Sequence, residues 1–128
     1  MGNGTPIGRV RGLGTAHEGA HHWMQQRFTA IGNLVLMSYL VVSFALLGDF
    51  GYASAIKWLA TPLAATAVIL LIISVFWHAR LGLQVLVEDY MVDAGTKFGM
   101  TALLNLAFIG GGAFGIFSVV SIAFGGNA

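Results

Sequence analysis

Three stretches of this chain carry no charged residue, and they decide what it can fold into. They are residues 28–47, 58–77 and 98–128, of 20, 20 and 31 residues. About 20 apolar residues in an α-helix cross the ~30 Å hydrocarbon core of a bilayer. In that solvent every backbone N–H and C=O must find its partner inside its own segment, so such runs become helices. Composition agrees: 9% of residues are charged, against about 25% in a soluble domain. The sequence therefore predicts an all-α membrane protein with three transmembrane helices, at about 28–47, 58–87 and 98–124. Residues 28–128 form the anchor domain, and a Gly-rich tail covers 1–27.

The same composition excludes several functions. A net charge of +1 leaves no nucleic-acid footprint. The absence of cysteine rules out disulfides, Cys-ligated zinc, iron–sulfur ligation within this chain and covalent c-type haem. The tail holds six glycines before residue 28 and no apolar run, so it predicts an irregular segment and not a cleaved secretory signal.

Lysine and arginine set the expected orientation. With three crossings, the tail and the 88–97 loop share a side holding Arg9, Arg11, Arg27, Arg80 and Lys97, against Lys57 alone on the other. The positive-inside rule then predicts a cytoplasmic N-terminus and a C-terminus on the opposite, periplasmic side.

His78 closes the second uncharged run, and an ionisable residue inside a membrane helix is by default a functional-site hypothesis. At ~100° per residue, Ser74 and Gly82 lie one turn either side of it, and their small size opens a slot on its face. That suits an axial ligand to a flat haem between helices. It equally suits a histidine that hydrogen-bonds a neighbouring helix. Asp89 returns to nearly the same azimuth eleven residues on, ~16 Å nearer the cytoplasm if the helix continues. Asp89 and Tyr90 can cap the helix and sit in the aromatic belt. Alternatively, the Tyr90 phenol donates to a ligand carbonyl with the carboxylate beside it. Arg80 is expected to share a water-directed stripe with Gln84 and Glu88. Gly111 and Gly115 form a GxxxG pair, which reads either as a close-packing face or as chance in a Gly-rich segment.

One motif competes. His17-Glu18-Gly19-Ala20-His21 matches H-E-x-x-H, two zinc ligands and a glutamate base of a metalloprotease. A glycine interrupts it, and no third ligand is evident, so a polar cluster at the membrane surface is the plainer reading.

The run His78-Ala79-Arg80-Leu81-Gly82-Leu83-Gln84-Val85 followed by Glu88-Asp89-Tyr90 resembles the signature of the small hydrophobic anchor subunit, D-type, of succinate dehydrogenase (respiratory complex II). The histidine, the glycine four residues on and the Asp-Tyr pair at eleven and twelve are all present. His21-His22-Trp23-Met24-Gln25-Gln26-Arg27-Phe28 resembles the family's segment leading into its first helix. The resemblance implies a membrane anchor subunit of succinate:quinone oxidoreductase in a bacterial inner (cytoplasmic) membrane. His78 would be one axial ligand of haem b, the other coming from a C-type cytochrome b anchor subunit. Tyr90 and Asp89 would bind ubiquinone, and His21 and Arg27 would lie near the haem propionates or the quinone pocket. An iron–sulfur subunit and a flavoprotein subunit would be the further partners. No residue of this chain is assigned a catalytic role, and Arg80 is assigned no ligand. The other readings are a purely structural anchor without haem or quinone contact, and the zinc metalloprotease.

Overall fold

The structure is a computed structural model that describes residues 16–125, with side chains from Gly19 onward. The described residues form four helices: α1 Ala16–Ala45, α2 Tyr52–Leu59, α3 Pro62–Tyr90 and α4 Ala94–Ala123. Three are long and apolar enough to cross a membrane: α1 from Gly19, α3 and α4. The chain is thus all-α, with three candidate spans, as its charge-free runs require.

The boundaries differ from expectation for identifiable reasons. The 1–27 tail is not irregular throughout, because α1 begins at Ala16. Residues 16–27 hold no proline and several good helix formers, Ala, Met, Gln and Arg, so the helix continues past the apolar run that hydropathy detects. Thirty residues measure about 45 Å, against a hydrocarbon core of ~30 Å. The first turns of α1 therefore project beyond the membrane. Gly48 takes a φ of +72° just after α1, the left-handed conformation that closes a helix C-terminus.

The 48–57 connection is not simply a turn, and the second span does not begin at Trp58. Asp49 accepts hydrogen bonds from the Gly51 N–H, at 3.0 Å, and from the Ser54 hydroxyl. Those two bonds, the Ser54 one foremost, hold its carboxyl below the ordinary carboxylate range. They start the short helix α2, which carries Trp58 back against α1. The Trp58 indole N–H donates to Ser43 Oγ at 2.8 Å, and its ring meets Phe44 edge-on at 5.2 Å. Pro62 then forces a break. It has no N–H to give the Trp58 carbonyl and its ring would clash there. Thr61 takes that carbonyl instead through its N–H and hydroxyl, sits in the extended conformation that precedes proline, and α3 starts with Pro62 in its first turn.

The α3 helix runs unbroken to Tyr90, so His78 and Asp89 do share one helix. After Met91 and Val92, Asp93 caps α4, accepting from the Thr96 N–H at 2.8 Å and the Thr96 hydroxyl at 2.9 Å. These bonds, the backbone one first, lower the Asp93 carboxyl from its ordinary range. Lys97 reaches back to the Glu88 carbonyl at 3.1 Å, a cation at the carbonyl end of α3.

The α3 helix packs against α1 on one side and α4 on the other, while α1 and α4 share no comparable contact. The spans lie side by side in a layer one helix thick. Among the described residues the buried hydrophobics are Leu40, Ala64, Ala65, Ala67, Leu81, Val87 and Val119, and the three alanines in the first turns of α3 suit close packing in lipid. Gly111 and Gly115 do form a close-packing face: α3 presents Phe76 to Gly111 and Ile72 to Gly115.

Candidate functional site

A polar stripe on α1 faces the histidine of α3. His22, Gln25, Gln26 and Thr29 recur at helical spacing along α1. Thr29 Oγ1 lies 2.9 Å from the Gln25 carbonyl and 3.1 Å from the Gln26 carbonyl. With its single hydrogen on that backbone, the oxygen is left to accept. His78 Nδ1 lies 3.0 Å from it. In that arrangement the pair is completed by a ring that carries its proton on Nδ1. The lone pair then rests on Nε2, which faces the Gln26 amide nitrogen at 3.5 Å. That last contact is long for a hydrogen bond. The ring is thus firmly held at one nitrogen and loosely met at the other.

The small neighbours of His78 behave differently from one another. Ser74 donates to the Thr29 carbonyl at 3.3 Å and rests over Gly32, so this side of the expected slot is closed by α1 of the same chain. On the Gly82 side the nearest group to an added Cβ would be the Gln26 amide nitrogen at 3.6 Å. The Gln26 carbonyl oxygen is buried with no partner, an omission that ordinarily costs about 1–3 kcal/mol.

Beyond Gly82 the first turns of α1 and the last turns of α3 diverge around a cleft of about 930 Å³. Its walls include His21, His22, Gln26, Gln84 and Glu88. Gln84 donates to Glu88 at 2.8 Å along one wall. His21 lines the same cleft as Glu88, and Arg27 lies outside it, exposed, stacked at 4.8 Å over Trp23. Asp89 and Tyr90 sit at the end of α3 and are exposed, Tyr90 to 80%.

Arg80 corrects an expectation. It does not follow Gln84 and Glu88 towards water. Its guanidinium donates to Asn105 of α4 and stacks 5.7 Å from the Trp77 ring, half-buried between the two helices. The side chains of His17 and Glu18 lie outside the described residues, so the H-E-x-x-H motif is represented here by His21 alone. Among the described residues no three His, Cys, Asp or Glu side chains gather as a metal-binding group. Gln26 and Thr29 were not singled out as partners of the histidine by sequence reasoning. The signal was available in the polar spacing of α1, which tracks the face that α3 must cover.

No solved structure matches the chain. The family model described as succinate dehydrogenase/fumarate reductase transmembrane subunit matches residues 1–118. The succinate dehydrogenase hydrophobic membrane anchor subunit of Rickettsia bellii is 37% identical over 86 residues, covering 66% of this chain and 68% of the relative. That of Rickettsia conorii is 33% identical over 87 residues, with coverage of 66% and 68%. The succinate dehydrogenase membrane anchor subunit of Reclinomonas americana is 29% identical over 94 residues, covering 71% of this chain and 78% of the relative. The family match takes in the polar stripe, the first two candidate spans, the Asp-Tyr end of α3 and most of the third span, and the chain belongs to the succinate dehydrogenase/fumarate reductase transmembrane subunit family as a multi-pass membrane anchor subunit of succinate dehydrogenase.

Proposed function

We propose that this anchor forms half of a haem b and quinone site, completed by a C-type cytochrome b anchor subunit. The observation that carries the reading is His78. One ring nitrogen lies 3.0 Å from the Thr29 hydroxyl within the chain, and the other meets only a long contact from Gln26 beside a glycine. Histidine bound to a metal characteristically donates its second N–H to such an acceptor. The Gln26 amide makes only that long contact and its oxygen has no partner, so a ligand at Nε2 would displace no good hydrogen bond. These residues fit a haem: His78 would hold its iron, and His21 lines the adjoining cleft, where a propionate carboxylate would find a donor. Arg27 serves the same anionic groups on turning from Trp23. Haem b would supply one-electron redox chemistry within the membrane.

Ubiquinone is the proposed bound substrate at Tyr90 and Asp89. Oxidation of succinate to fumarate on the flavoprotein subunit releases two electrons and two protons. The electrons travel through the iron–sulfur subunit, and ubiquinone takes up two electrons and two protons to become quinol. The Tyr90 hydroxyl would donate to a quinone carbonyl as negative charge grows on its oxygen. Asp89, one residue before it and open to water, would return protons. This assignment needs the Tyr90 end of α3 on the side where the soluble subunits dock. That is the cytoplasmic side by the excess of Arg and Lys, in a bacterial inner membrane.

The test is a reduced-minus-oxidised spectrum of the complex purified with all its subunits. The wild type should show a b-type signal, and His78→Ala should lose it while the subunits still co-purify. A flat wild-type spectrum refutes the haem assignment and leaves the quinone assignment to its own test. For the quinone, Tyr90→Phe should lower quinone reduction and spare succinate oxidation with an artificial acceptor. Unaltered quinone kinetics would remove Tyr90 from the site.

A further inference from the structure

We infer that Thr29 is the positioning residue for the His78 ligand, fixing both the orientation of the ring and the nitrogen that faces the metal. This rests on the reading of His78 as a haem ligand. The geometry is a relay across two helices. The Thr29 hydroxyl gives its hydrogen to the α1 backbone, at 2.9 Å from the Gln25 carbonyl, and so presents only lone pairs to α3. At 3.0 Å, His78 Nδ1 is then the donor, the tautomer that the inference assigns to the ring.

Three further contacts make the arrangement a built one. Ser74, one turn before His78, donates to the Thr29 carbonyl at 3.3 Å. Ser74 also closes over Gly32, where an added Cβ would meet its oxygen at 3.5 Å. Helices α1 and α3 are thereby registered so that Thr29 and His78 stay level. On the other side, Gln26 meets Nε2 at 3.5 Å, a contact that tolerates replacement by a stronger ligand.

The chemical consequence concerns the imidazole. An acceptor on Nδ1–H raises the electron-donating power of Nε2. A more basic axial ligand favours the oxidised metal, so removing the acceptor raises the midpoint potential. It also frees the ring to rotate and to take the other tautomer, whose Nε2–H cannot ligate.

The experiment uses the complex with all its subunits, carrying Thr29→Val or Thr29→Ser. Valine keeps the volume and removes the hydroxyl; serine keeps the hydroxyl. Haem per complex, the midpoint potential from a redox titration, and the ¹⁵N NMR signals of the His78 ring are measured. Thr29→Val should weaken haem retention by about tenfold, the usual scale for losing such a partner, and raise the potential. Thr29→Ser should restore both. The ring in the wild type should carry its proton on Nδ1.

Wild-type haem content and potential in Thr29→Val would overturn the inference while leaving the haem assignment intact. A wild-type complex with no b-type signal would overturn the assignment and the inference together. Should the valine variant fail to assemble, the NMR measurement on the wild type still decides. An Nε2–H ring refutes the ligation and the role of Thr29 together, and an Nδ1–H ring together with a Thr29→Ser complex of normal potential supports that role.

Discussion

Replacing Gly111 by alanine puts a methyl group 2.8 Å from Cε1 and 3.2 Å from Cζ of Phe76. Carbon atoms rest best at about 3.5–4.0 Å, so the ring must retreat by roughly 1 Å. Moving it disturbs the edge-on contact that it makes with Phe108 at 5.9 Å. Forcing a methyl into such a contact costs about 1–3 kcal/mol, and disturbing the aromatic pair contributes up to about 1 kcal/mol of that. Alanine also favours the helix over glycine by about 1 kcal/mol. Gly110→Ala isolates that second effect, since an added Cβ there meets nothing within 4 Å. Both substitutions fall in the middle of α4, so their difference cancels the helix preference. Gly111→Ala should therefore be less stable than Gly110→Ala by about 1–3 kcal/mol. Thermal dissociation of the detergent-solubilised complex, followed by retention of its subunits, reads the difference. Trimming the ring with Phe76→Leu should recover most of it. Equal stability of the two variants, or a milder effect at Gly111, would refute the packing of α4 on α3 described above. Gly115→Ala should be nearly harmless, because the atom it meets, Ile72 Cδ1 at 3.3 Å, is the end of a flexible side chain.

Other consequences can be checked separately. Asp93 has a folded pKa below its unfolded value, so its cap is fully formed above about pH 4 and is lost as pH falls through the lowered folded pKa. Amide exchange at Thr96 should accelerate in that acid window, and Asp93→Ala should show the faster exchange at every pH. Trp58→Phe and Ser43→Ala each remove the 2.8 Å bond that holds α2 to α1, at about 0.5–1.5 kcal/mol. The double variant should cost little more than either single one; full additivity in a double-mutant cycle would show that the bond is absent. Asn105→Leu takes a partner from a half-buried guanidinium inside the α3–α4 contact, and should destabilise by about 1.5–3 kcal/mol. A stability equal to that of the unsubstituted chain would mean that Arg80 is satisfied elsewhere.

The spans were legible because the bilayer tolerates so few alternatives: a charge-free run of 20 residues in 28–47 can do little else. Their ends were not, because hydropathy reports where lipid stops and not where the helix stops. Residues 16–27 are polar and still helical, and only their lack of proline hinted at it. At Pro62 the error ran the other way. The apolar run crosses the proline without interruption, while the backbone cannot. His78 could be singled out from its rarity alone, but its partner could not, since Thr29 lies 49 residues away on another helix. Arg80 was misread for a similar reason. Its own helix offers Gln84 and Glu88 at the right spacing, and the residue it reaches, Asn105, depends on the register of α4.

Because α3 lies between two helices that do not close around it, the chain has a front and a back and almost no inside. A substitution on the uncovered side of α3 leaves the fold of this chain with little to lose. Its cost falls on whatever covers that side, lipid or a neighbouring subunit. Changes there should therefore be tolerated or rejected in company, each exposed residue answering to a residue on another polypeptide. Such positions are expected to change in step across two chains, while Ala64, Ala65 and Ala67, buried against this chain's own helices, stay small whatever the partner does.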